Sequence, residues 1–275
     1  HNLPSRNTLS LSASTIAGIF AGTITKWNDP AIVKDNNREF NKIVYKTKNG
    51  VLVKDSKGDP IVARSIPTKT RYTLPNKPIK VVYRSDSSGT SANFTNYLNK
   101  SAPAVWTKTK NKVFKDSFPG DINSHANLGR IVSAQSSTGV AQTAGKTRYS
   151  ITYAEVNYAE ANNLKIANVI NPAGNSVAPN SVGVGAFLAS ATQDANGFLS
   201  YDYATKEKGA YPLGIVSYLL ADTAYPDKAK ADAVKAYANF VLSPACAQVK
   251  GEDLGFSVIE GELLKKAQSQ IAKIG

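Results

Sequence analysis

Arg84, Asp86, Ser88, Gly89 and Thr90 stand close together, directly after the apolar run Ile79-Lys80-Val81-Val82-Tyr83. That order reads as a buried strand running into a helix. At a helix start the first N–H groups have no intrahelical acceptor and the dipole is positive, so an anion can be held there. Gly89 has no side chain to block approach to the backbone. Ser88 and Thr90 add hydroxyl donors beside the amides. Arg84 offers a planar fork matched to two oxygens of a tetrahedral oxyanion. Asp86, two residues on, can hold that fork by a salt link, and its charge keeps the site from being merely a pool of positive potential. Each charge-assisted hydrogen bond contributes roughly 1.5–3 kcal/mol, so a handful of them outweighs a diffuse surface field. The same residues admit a plainer reading: Ser87 or Ser88 caps a helix, and Arg84 ends a strand in solvent. Local chemistry leaves both open.

Other chemistries fit the sequence poorly. Gly139-Val-Ala-Gln-Thr-Ala-Gly145-Lys146-Thr147 nearly spells a phosphate-cradling P-loop, but five residues separate its glycines and no apolar strand precedes it. A Ser-His-Asp triad needs His125, which sits in Ser-His-Ala with no nucleophile elbow. As a lone histidine it is no metal site either. Cys246, in Pro-Ala-Cys-Ala, reads as a buried small residue rather than a nucleophile. Tyr149, Tyr153 and Tyr158 read as strand and helix packing. No catalytic residue, metal or cofactor is expected.

The elements that must position the anion residues come next. The chain has 275 residues, 42% of them apolar and 19% charged, which is ordinary globular composition. No run approaches the roughly 20 apolar residues of a membrane-spanning helix. One cysteine excludes an internal disulfide framework. Thirty-three Lys and Arg against 20 Asp and Glu give +13, which suits anionic partners. The positives are scattered, however, and the densest patch, Lys108, Lys110, Lys112 and Lys115, reads as a solvated face; no nucleic-acid surface is expected. Methionine is absent, so the sequence is expected to be a piece of a longer precursor.

A short strand is expected at 8–11, then a helix capped by Ser12 or Ser14 that carries Ile16, Ile19 and Phe20 and closes at Gly22. Asn28-Asp29-Pro30 caps the next helix. Residues 37–79 form an excursion of short β-like runs, with a hairpin signal at Asn49-Gly50 and a break at Lys57-Gly58-Asp59-Pro60. After strand 79–83 comes a helix with Phe94, Tyr97 and Leu98 on one face. The pattern then gives a helical stretch around 123–134, a strand at 149–154 and a helix at 154–163. Turns fill 171–183, and a helix lies near 184–192. The run 211–220 reads as a strand buried on both faces, followed by helices at 228–242 and 260–274. Strands interleave with helices, so the class is α/β.

The stretch VVYRSDSSGTSANFTNYL (81–98) resembles the phosphate-binding signature of the substrate-binding proteins of phosphate ABC transporters, the PstS type. STIAGIFAGTITKWNDPAI (14–32), GVAQTAGKTRYSITYAEVNYAEANNL (139–164) and AYPLGIVSYLLA (210–221) resemble further segments of that family, in the same order. The resemblance implies a two-lobe, type II periplasmic-binding architecture with dehydrated phosphate held between α/β lobes. It implies that Arg84 pairs with phosphate oxygens while Asp86 holds Arg84. Ser88 donates through its hydroxyl, Gly89 through its amide, and Thr90 through both. Ser85 and Ser87 stand where the family often has Ala and Gly. The family's other ligands, a Thr-Phe pair, a Ser and a proton-accepting Asp, belong to a segment that precedes the match to His1-Asn2-Leu3-Pro4. The expectation is therefore a complete second, ligand-binding lobe over 1–210, with an insertion at about 37–75. Residues 211–275 are expected to be the C-terminal part of a partial first lobe, completed by an additional polypeptide segment of roughly 70–100 residues. The implied function is extracytoplasmic, non-enzymatic, high-affinity binding of inorganic phosphate for delivery to an ABC permease. The alternative is a phosphatase-like or surface interaction protein on the same fold.

Overall fold

The computed structural model describes all residues except 6, 49–50, 57–59, 247–250, 252–255, 257–258 and 260. Its elements begin with β1 (Ser10–Ser12), α1 (Ala13–Phe20) and α2 (Pro30–Asn36). Then come β2 (Glu39–Tyr45), β3 (Thr47–Lys48), β4 (Val51–Leu52) and β5 (Val62–Lys69). The central part holds β6 (Lys80–Arg84), α3 (Gly89–Ser101), β7 (Ile131–Ala134), α4 (Ser136–Lys146), β8 (Ser150–Ile151) and α5 (Val156–Ala161). After β9 (Asn168–Ile170) and β10 (Ser176–Val177) follow α6 (Ser181–Leu188), β11 (Thr192–Gln193) and β12 (Leu199–Ser200). Three helices, α7 (Lys228–Val241), α8 (Pro244–Cys246) and α9 (Gly261–Ile271), lie toward the C-terminal end. The chain divides into two compact units, one of His1–Lys42 with Ile66–Pro179, the other of Ile43–Ser65 with Asn180–Gly275. The paired strands β2 and β5 carry the chain out of the first unit and back.

The first unit is built on β6. Its valines, Val81 and Val82, are fully buried, and it pairs in parallel with β7 on one side and β8 on the other. Burial on both faces explains the adjacent apolar residues Val81 and Val82 at the centre of this strand. The following helix, α3, lays Phe94, Tyr97 and Leu98 into the core. Phe94 stacks on Tyr153 at 4.4 Å and meets the edge of Phe20 at 4.7 Å, while Tyr83 stacks on Phe114 at 5.0 Å. This aromatic layer underlies the C-terminal end of β6. Helix α1 ends where Gly22 takes φ 79°, a left-handed conformation that favours glycine. Helix α2 starts as expected, with the Asp29 side chain accepting the Ala31 N–H and Pro30 at the first helical position.

Three expectations for the first unit are corrected. Residues 123–130 form turns, and 131–134 form strand β7 rather than the end of a helix, because β6 takes up Ile131 and Val132 as ladder partners. The helix comes later, as α4. The strand expected over 149–154 shortens to β8, and the turn-rich stretch 171–183 contains β10, which joins β9 and β1 in a second small sheet. On either side of Asn49-Gly50, β3 and β4 pair antiparallel; Asn49 and Gly50 themselves lie outside the described residues, as do Lys57, Gly58, Asp59 and Glu260.

The second unit has its core around Phe187, which stacks on Tyr201 and lies beside Tyr203, each at 5.6 Å. Residues 211–220 are not a strand: no strand among the described residues pairs with them, and an unpaired ladder has nothing to hold it extended. Ile215, Leu219 and Leu220 are exposed, Leu220 to 81%. Helix α7 buries Ala231 and Ala238 and leaves Tyr237, Phe240 and Val241 open.

Candidate functional site

Strands β6, β7 and β8 are parallel, so their C-terminal ends form one edge, where ligands of α/β folds are commonly held. Arg84 closes β6. Its Nε donates to Asp86 Oδ1 at 3.2 Å, and its Nη2 donates to Asp86 Oδ2. Asp86 Oδ1 also accepts the Ser136 N–H at 2.9 Å, at the start of α4. Hydrogen bonding from Arg84 holds the Asp86 carboxyl at a pKa of about 2, with the Ser136 amide adding to it. The carboxylate in turn raises the guanidinium, so both stay charged. The remaining end of the fork, Nη1, donates to Ser137 Oγ at 3.2 Å. The start of α4 therefore lies beside the start of α3.

Ser88 is the cap of α3. Its hydroxyl oxygen accepts the N–H of Thr90 at 3.0 Å and of Ser91 at 3.4 Å, which leaves its own proton to give elsewhere. Gly89 occupies the first helical position, so its N–H has no intrahelical acceptor. A Cβ on Gly89 meets nothing within 4 Å, so neither packing nor φ asks for glycine there. Thr90 is differently placed from the expectation. Its amide serves Ser88, and its hydroxyl donates to Glu155 Oε1 at 2.7 Å. Burial pushes the Glu155 carboxyl up, but the Ser137 and Thr90 hydroxyls and the Arg84 charge outweigh it and bring the pKa below the usual value.

Beneath these residues Tyr153 shares a hydrogen bond of 2.7 Å with Ser91 Oγ and accepts the backbone N–H of Arg84 at 3.3 Å. Its burial pushes the phenol up to about 12, so it stays neutral and acts as a strut. The lysine patch meets the site through backbone, where the Lys112 carbonyl accepts the Ser88 N–H at 2.9 Å. The Lys108, Lys110 and Lys115 side chains are exposed.

The structure thus brings together all five residues singled out in the sequence and adds Ser136, Ser137, Tyr153 and Glu155. The available signal for the last two was Ile151-Thr152-Tyr153-Ala154-Glu155, a polar step directly after a short strand. Ser136 and Ser137 had only a run of small polar residues around them. Among the described residues no three His, Cys, Asp or Glu side chains gather as a metal site requires.

The profile of the PBP superfamily domain matches residues 1–245. "Phosphate-binding protein PstS3" of Mycobacterium bovis (strain BCG / Pasteur 1173P2) is 33% identical over 243 residues, covering 86% of this chain and 54% of that protein. "Phosphate-binding protein PstS" of Pasteurella multocida (strain Pm70) is 29% identical over 274 residues, covering 98% of this chain and 66% of that protein. The chain spans about half the length of the mycobacterial relative. Among solved structures, a DING protein aligns with a TM-score of 0.60 at 19% identity, over 96% of this chain and 67% of its own. A periplasmic phosphate-binding protein, PfluDING, solved bound with phosphate, aligns at 0.59 and 20% identity, over 98% and 67%. At these identities the structural likeness shows the fold, which is α/β and of the two-lobe periplasmic-binding kind. With strand-end geometry, fold and sequence in agreement, the chain belongs to the PBP superfamily, where the PstS-type phosphate-binding proteins are its relatives.

Proposed function

We propose that this chain binds inorganic phosphate without chemical turnover, as part of an extracytoplasmic receptor that hands the anion to an ABC permease. The observation that carries this reading is the pairing of an Arg84 fork clamped by Asp86 with a helix start at Gly89 that faces open space. Arg84 gives the phosphate oxygens its remaining N–H groups, Ser88 its hydroxyl proton and Gly89 its amide, with Thr90 beside them. Asp86 fixes the direction of the fork. Four charge-assisted bonds of this kind suffice to hold a small dianion that has left its water. The names of the relatives support the choice of anion.

Titration calorimetry with inorganic phosphate tests it. Arg84→Ala is expected to weaken binding by roughly a hundredfold or more, because removing the fork leaves buried anion oxygens without donors. Lys110→Ala is expected to change it by less than about twofold, since an exposed lysine acts through a screened field. Equal losses overturn the reading, and so does sustained hydrolysis of a phosphate monoester by the native protein.

We further infer that another polypeptide segment covers the second unit. The support is the row of exposed apolar side chains from Ile215 to Leu220 and along α7. Uncovering several hundred Å² at about 25 cal/mol per Å² costs as much as a typical domain's net stability. Intact mass of the native protein checks this: a species no heavier than these 275 residues that binds phosphate tightly overturns it.

A further inference from the structure

The excursion at 37–75 supplies none of the residues placed at the anion site, and its second-unit portion, Ile43–Ser65, has a surface of nearly one sign. Three segments meet there in a ring of backbone hydrogen bonds. Lys46 N–H donates to the Ile61 carbonyl at 2.8 Å, Ile61 N–H to that of Val53 at 2.9 Å, and Val53 N–H to that of Lys46 at 2.8 Å. The ring fixes where β2, β5 and the β3–β4 hairpin part. Tyr45, one residue before it, lies against Gly209, where a Cβ would overlap the phenol oxygen, so the ring has a fixed seat in the second unit. Around the ring Lys46, Lys48 and Arg64 are exposed and make no ion pair among the described residues. Lys69, farther along β5, differs in being paired with Glu39 at 3.1 Å. Ile61 and Val62 stand beside the free cations with 36% and 40% of their surface exposed.

Exposed charges on a β-ribbon commonly guard its open edges against pairing. A guard works with charge of either sign and gains nothing from bare aliphatic side chains next to it. The described part of Ile43–Ser65 carries Lys46, Lys48, Lys54 and Arg64 against one carboxylate, Asp55, and Ile61 shares the ring with Lys46. Cations set around aliphatic side chains match an anionic lipid surface, whose headgroups draw the charges while the acyl boundary takes the methyl groups. An acidic polypeptide would pair with the cations and leave the aliphatics idle. We propose that this ribbon is a membrane-docking surface that seats the protein on anionic phospholipid. The proposal rests on the receptor reading in one respect: a receptor that hands its anion to a permease works beside a bilayer.

Co-sedimentation with vesicles tests it, using phosphatidylcholine alone and an equimolar mixture with phosphatidylglycerol. Native protein is expected to bind the mixed vesicles and not the neutral ones. Each Lys or Arg near an anionic surface contributes about fivefold, so Lys46→Glu/Lys48→Glu/Arg64→Glu should lower binding by about a hundredfold or more. Lys108→Glu/Lys110→Glu/Lys115→Glu has the same net charge and should lower it by less than about fivefold, because those charges act from a distance through salt. Ile61→Ser/Val62→Ser keeps every charge and should lower binding by about fivefold or more. Phosphate calorimetry on each variant verifies that it is folded. Equal losses in the two charge-reversed proteins mean that net charge alone is at work, and they overturn the proposal. Vesicle binding that the serine pair leaves unchanged overturns it too, and ribbon-dependent capture of soluble poly-glutamate then assigns the surface to an acidic polypeptide. If the charge-reversed ribbon does not fold, the serine pair decides alone. Native protein that binds phosphate but not mixed vesicles overturns the docking and leaves the receptor reading intact. Native protein that docks through the ribbon yet binds no phosphate overturns the receptor reading alone.

Discussion

At Asp86 three donors meet one carboxylate: two nitrogens of Arg84 and the Ser136 amide. Its folded pKa of about 2 lies below the ordinary carboxyl value of 3.8, so the stability it contributes is present above about pH 4 and is lost as the pH falls toward 2. Asp86→Asn is expected to remove that part of the acid limb, so that urea midpoints of the two proteins converge between pH 4 and 2. The same variant should weaken phosphate and sulfate binding together, by loosening the fork. A selective gain for sulfate would make Asp86 itself an acceptor that faces the anion. Ser136 supplies its amide at a cost. It sits at φ 64°, a conformation that costs a non-glycine residue roughly 1 kcal/mol or more. Glycine there keeps the amide and loses only the hydroxyl that accepts the Gly139 N–H at 3.3 Å. Ser136→Gly should therefore stabilise by about 0.5–1 kcal/mol in urea unfolding, and Ser136→Val should destabilise. The Arg84–Asp86 pair was legible in the sequence because its partners are two residues apart. Glu155 and Ser136 were not, because each meets the site only after the strands have aligned.

The helix that carries the anion residues depends on the layer beneath it. Phe94 is wedged between Tyr153 and Phe20, so Phe94→Ala should cost about 3–5 kcal/mol and lower the urea midpoint in proportion. Phosphate binding should suffer further, because Tyr153 also holds the backbone of Arg84 in place. This element was readable: Phe94, Tyr97 and Leu98 fall on one face at helical spacing, and a serine caps the start. β7 was not. Its four residues carry no period of their own, and they are a strand because β6 offers them a ladder. The opposite error occurred at 211–220, where the apolar pattern of a strand is present and the partner is absent from the described residues. Pattern reports what a segment can bury, and pairing decides what it becomes.

For the molecule as a whole, the apolar row of the second unit makes a prediction of its own. Exposed leucines and aromatics on an uncovered surface tolerate charge, with effects within about 0.5 kcal/mol. If a further segment covers them, Leu219→Lys and Phe240→Lys should instead cost several-fold more and release that segment, as seen by a fall in native mass. Stability unchanged in both variants argues for a bare face. Connectivity has a separate consequence. The first unit is made of two stretches of chain, and β1 reaches its parallel partner β9 by pairing Ser10 with Asn168. Closing a loop of more than about 150 residues is slow, and its entropy must be met before the ladder rewards it. During synthesis, β1 and α1 therefore leave the ribosome long before the strand that completes their sheet exists. Until β9 emerges, Leu9, Leu11 and Ile16 have only part of their native cover, which makes the nascent first half the natural client of a holding chaperone.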